Sequence, residues 1–122
     1  VEKFGGLDIL VNNVGGMIPG TLDNMTEELW NTVLNTNLMS YVHTTKFSVP
    51  HLKKASEGRI LNVSGVTGKQ LLPGALTTTI PNTAIIGFTK IMAAELGGDG
   101  ITVNNICPGF TNTESWLGAI SI

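Results

Sequence analysis

Apolar positions along this chain alternate between two rhythms. Ile9-Leu-Val11, within Asp8 to Val14, is an unbroken apolar run, the pattern of a short strand buried on both faces of a parallel sheet. Gly15, Gly16, Pro19 and Gly20 then break the chain into a loop. Leu29, Trp30, Val33, Leu34, Leu38, Tyr41 and Val42 recur at helical spacing, which predicts one long helix from Thr26 to about Lys53. Thr26 followed by Glu27 and Glu28 supplies its start, and Pro50 is expected to bend or end it. Arg59 to Ser64 reads as a second strand, and residues 65–76, with Gly68, Pro73 and Gly74, read as a loop. Ala84, Ile85, Phe88, Ile91, Met92 and Leu96 form an apolar stripe on a helix expected over 82–96, stopped by Gly97-Gly-Asp-Gly100. Ile101 to Ile106 is the third strand, ended by Cys107-Pro-Gly109.

The order is therefore β-α-β-α-β. Strands joined through helices of this length run parallel, through right-handed crossovers. This is an α/β fold, a partial doubly wound, Rossmann-type parallel sheet, with 1–122 as a single partial domain. The N-terminal Gly-rich half of such a fold is not in the sequence, which contains no Gly-x-Gly-x-x-Gly. A sequence that starts just before a strand is expected to be a fragment of a longer protein, and the first strand's outer edge is expected to be a liability.

Composition narrows the function classes. A chain of 122 residues, 42% hydrophobic, suits one soluble domain. A net charge of −2 without a basic cluster gives no footprint for nucleic acid or an anionic membrane, and no apolar run reaches the roughly 18 residues of a membrane span. One cysteine, Cys107, excludes an internal disulfide and suits a reducing, cytoplasmic setting. His43, His51 and Cys107 have no metal-ligand spacing, so no metal site is expected.

Four phrases carry more information than composition does. Asn12-Asn-Val-Gly15 ends the first strand, Asn37 lies mid-helix in Asn35-Thr-Asn-Leu38, Gly58-Arg-Ile-Leu-Asn-Val-Ser-Gly65 spans the second strand, and Ile101-Thr-Val-Asn-Asn-Ile-Cys-Pro-Gly109 spans the third. Taken singly each has an ordinary reading: a strand-ending turn, a helix kink, a Pro-Gly turn. Taken together, at these separations, they resemble the second half of a short-chain dehydrogenase/reductase.

The resemblance implies an oxidoreductase that uses NAD or NADP and acts on a carbonyl or alcohol substrate. It also implies site residues. Asn12, Asn13, Val14 and Gly15 would line the cofactor, with Val63 and Ser64 at the second strand's end and Pro108, Gly109, Thr111 and Thr113 at the nicotinamide. Asn37 would bend its helix and hold a water in a proton relay, the one catalytic position of the family that matches. Gly65, 28 positions after Asn37, stands where the catalytic serine belongs. Thr78 and Asn82, in Thr78-Thr-Ile-Pro-Asn82, stand where the family keeps a tyrosine and a lysine. The pattern resumes without insertion at Asn82 to Lys90, so the substitutions are real, and the sole tyrosine, Tyr41, lies on the earlier helix.

These substitutions change the chemistry. A phenol titrates near ~10 and an adjacent lysine cation brings it toward neutrality, whereas a threonine hydroxyl has no accessible pKa. Thr78 cannot relay protons as the tyrosine does. Ser64, Thr77 and Lys69 are the nearby groups left for a diverged reductase, with Lys69 expected to face solvent. The alternatives are a catalytically inactive pseudoenzyme that binds cofactor or serves as an oligomerisation module, and a non-functional fragment. In either of the first two cases the resemblance implies a homo-oligomer built through helices 26–53 and 82–96.

Overall fold

A computed structural model describes residues 1–111. Three parallel strands, β1 (Ile9–Asn12), β2 (Arg59–Val63) and β3 (Thr102–Ile106), lie side by side in that order. Ile9, Arg59 and Thr102 stand in one register row and Leu10, Ile60 and Val103 in the next. The helices are α1 (Glu27–Leu34), α2 (Ser40–Leu52) and α3 (Leu76–Leu96), giving the β-α-β-α-β order that the apolar rhythm predicts.

The first helical segment starts where its residues dictate. Thr26 is extended, its hydroxyl accepts from the Leu29 N–H (3.2 Å), and Glu27 and Glu28 face the positive end of the helix dipole. Between α1 and α2 the backbone stays helical but widens into a π turn over Asn35–Met39. Such a turn inserts one residue into the ladder and turns the side chains that follow it. Pro50 is accommodated two residues before α2 ends at Leu52.

The helix expected over 82–96 starts six residues earlier, at Leu76, and runs through Pro81. Three threonines, an isoleucine and a proline argue against a helix locally. Packing overrides them: Pro81 is fully buried, and the Thr77 hydroxyl donates to the Ile18 carbonyl at 2.5 Å. After Leu96 a tight turn over Gly97–Asp99 leads to Gly100, whose φ of +74° only glycine adopts freely.

Leu52, Ile60, Leu96, Ile101 and Val103 form the core, with Leu10, Val49 and Met92 against it. Ile91, expected in the apolar stripe, is 57% exposed instead, because the buried face of α3 runs through Ile85, Thr89 and Leu96. The prediction that β1 is buried on both faces also fails: Ile9 is 60% and Val11 54% exposed. The reason is topological. Consecutive parallel strands in sequential order, joined by crossovers of one hand, place both helices on one face. The row behind Ile9 and Val11 has no cover among the described residues.

Candidate functional site

All three strands end on the same side, and the loops that leave them meet there. Between these loops and α3 lies a cleft with two adjoining lobes. The inner lobe, about 240 Å³, is walled by Asn13 to Gly16, Asn37, Tyr41, Val63, Ser64, Thr78, Pro81, Asn82 and Ile85. The outer lobe, about 620 Å³, shares Asn13, Gly15, Ser64, Thr78 and Asn82 and extends to Leu72, Pro73 and Pro108 to Thr111. A crevice at the carboxyl ends of parallel strands is where open α/β sheets bind ligands.

Asn37 sets the position of one wall. It is buried in the π turn, where its Oδ1 accepts from the Gly16 N–H (2.8 Å) and its Nδ2 donates to the Gly16 carbonyl (3.0 Å). Both polar ends of one side chain thus hold one residue of the loop after β1. The loop is fixed again by Thr77 at Ile18. Gly15 fits against Asn37: a Cβ there would stand 3.1 Å from Asn37 Oδ1.

The next side chains form a buried polar ladder under the cleft. Asn12 Nδ2 donates to Asn62 Oδ1 (2.9 Å) and to Thr45 Oγ1 (3.2 Å), while Thr44 donates to Asn12 Oδ1 (2.6 Å). Asn62 in turn donates to Thr89 (2.8 Å). Asn12, expected to line the cofactor, lines neither lobe, and its side chain is turned into the protein. It ties β1 to α2 and β2, while Asn13, Val14 and Gly15 line the cleft.

At the second strand's end, Ser64 lines both lobes, but its hydroxyl is engaged. Asn105 Nδ2 donates to it (2.9 Å), and it lies 3.3 Å from Cys107 Sγ and 3.4 Å from the Ile106 carbonyl. Tyr41, which the sequence reading set aside, reaches the inner lobe from α2 and donates to the Val63 carbonyl (2.7 Å). Burial raises its pKa above the ordinary value near 10, so it stays a neutral donor.

Gly65, Thr78 and Asn82, the positions where the resemblance leads one to expect serine, tyrosine and lysine, meet across the cleft. Gly65 and Asn82 are in direct apposition, since a Cβ on Gly65 would fall 2.8 Å from Asn82 Nδ2. That amide donates to Thr67 Oγ1 (2.8 Å), a partner with no signal in the sequence beyond its place in the loop after Gly65. Thr78, one turn before Asn82, gives its hydroxyl proton to the Ala75 carbonyl (3.1 Å). Of the other proton-handling candidates, Thr77 lines neither lobe, and Lys69 is exposed and lines neither. Pro108, Gly109 and Thr111 line the outer lobe; Thr113 lies outside the described residues. No group of three or more His, Cys, Asp or Glu gathers among the described residues, and no helix there is long and apolar enough to cross a membrane.

Known proteins place this geometry. The chain is 40% identical over 113 residues to the 3-oxoacyl-[acyl-carrier-protein] reductase of Vibrio cholerae, covering 93% of this chain and 46% of the relative. It is 37% identical over 112 residues to the D-beta-hydroxybutyrate dehydrogenase of Rhizobium meliloti, covering 92% and 43%. The solved structure of ElxO with NADP bound superposes with a TM-score of 0.88 at 35% identity, over 98% of this chain and 49% of that one. The chain thus spans just under half the length of these relatives. The short chain dehydrogenase profile matches residues 1–118, and the chain belongs to the short-chain dehydrogenase/reductase family.

Proposed function

We propose that this chain forms the substrate side and nicotinamide side of an NAD(P)-dependent oxidoreductase acting on a carbonyl or alcohol, diverged at its proton-transfer residues. One observation carries the reading: Asn13 to Gly15, Ser64, Thr78, Asn82 and Pro108 to Thr111 converge on one cleft at the strand ends. Two relatives whose names specify a 3-oxoacyl and a hydroxybutyrate substrate support a carbonyl/alcohol pair. Residues 1–122 are then one partial NAD(P)-binding domain of a protein in a reducing, cytoplasmic setting, which the single Cys107 suits.

The residues present fit the nicotinamide end of such a cofactor. Added Cβ atoms at Gly16 and Gly109 would meet nothing within 4 Å, so main chain is open to a ligand on two walls of the cleft. Asn13, Val14, Gly15, Val63, Ser64, Pro108, Gly109, Thr111 and Thr113 would hold it. When bound, the cofactor supplies or accepts the hydride. The chain's own part is to orient and to handle the proton, and here it departs from its relatives. Thr78 spends its proton on Ala75, Asn82 has no charge, and Gly65 offers no hydroxyl. Asn37 acts by fixing Gly16 rather than through charge.

These same losses favour a second reading, a pseudoenzyme that keeps the cofactor and lacks turnover. In either case the outward Phe47 on α2 and Ile91 on α3, 72% and 57% exposed, support pairing of two copies through these helices. Titrating NADH and NADPH while following energy transfer from Trp30 and Trp116 tests the proposal. Saturable binding supports a cofactor protein, and turnover on a carbonyl panel then separates enzyme from pseudoenzyme. No binding of either nucleotide, by this chain or by a full-length parent that carries the Gly-rich half, overturns both.

A further inference from the structure

We draw no further inference here: the strongest candidate, the outward sheet face where Ile9, Val11 and Ile106 stand exposed beside the β1 edge that is unpaired among the described residues, carries none, because nothing in the structure shows what covers it.

Discussion

At the scale of single residues, the site is built around an interlocked pair. Asn82 Nδ2 occupies the space that any side chain on Gly65 would need. Gly65→Ser alone must therefore displace that amide and break its bond to Thr67. A loss of about 1–3 kcal/mol is expected, the usual cost of forcing atoms into filled space, read as a shift of the denaturant midpoint at constant slope. Gly65→Ser with Asn82→Ala should recover most of it, because the obstruction is gone. Additive losses in the double variant would show that the two positions do not touch. Tyr41 allows a second test, because it is the only tyrosine and its phenolate can be read directly by ultraviolet difference spectroscopy. Its pKa in the folded protein is raised by burial, so its contribution is full below the unfolded value near 10 and is lost as pH rises through the folded value. Stability should fall above pH 10 in the native protein and fall less steeply in Tyr41→Phe. Phenolate appearing at or below the ordinary pKa in the folded protein would contradict this.

Among the elements, local signals succeeded where a single residue decides and failed where packing does. Thr26 caps α1 because a hydroxyl beside two glutamates suits a helix start wherever it occurs, and Gly97 to Gly100 end α3 for equally local reasons. The start of α3 is hidden in the sequence, since Thr77 to Pro81 disfavour a helix and tertiary contacts, among them Thr77 to Ile18 and the burial of Pro81, hold them in one. The site shows the same division. The family resemblance singled out Gly65, Thr78 and Asn82, but the Thr67 contact joins positions 15 apart and has no periodic trace. The π turn is of both kinds: Asn37 marks an anomaly mid-helix, yet its purpose appears only with Gly16 placed against it. Asn37→Ala removes two hydrogen bonds that fix one loop residue. The expected loss is about 1–3 kcal/mol of stability, together with faster amide exchange over Gly15 to Ile18. Unchanged exchange there would mean that Thr77 holds the loop unaided.

At the scale of all the described residues together, the governing fact is a sheet covered on one face. The register puts Leu10, Ile60 and Val103 against the helices and turns Ile9, Val11 and Ile106 outward, the last 47% exposed. Sequential strand order makes this unavoidable, because both crossovers must pass on the same side. The open face borders a free edge, since β1 pairs only with β2 among the described residues. Apolar surface next to unpaired strand hydrogen-bonding groups is what favours association with any further chain. The isolated chain is thus expected to bind a hydrophobic dye in its native state and to self-associate as concentration rises. Val11→Lys, placing a charge at the centre of the edge strand's outward face, should reduce both by severalfold without lowering helix content, because Val11 makes no part of the buried core. Dye binding that tracks Leu72→Lys and ignores Val11→Lys would move the sticky surface from the sheet to the mouth of the cleft. The two faces lie on different elements, so one pair of variants separates a ligand site from an unpaired sheet.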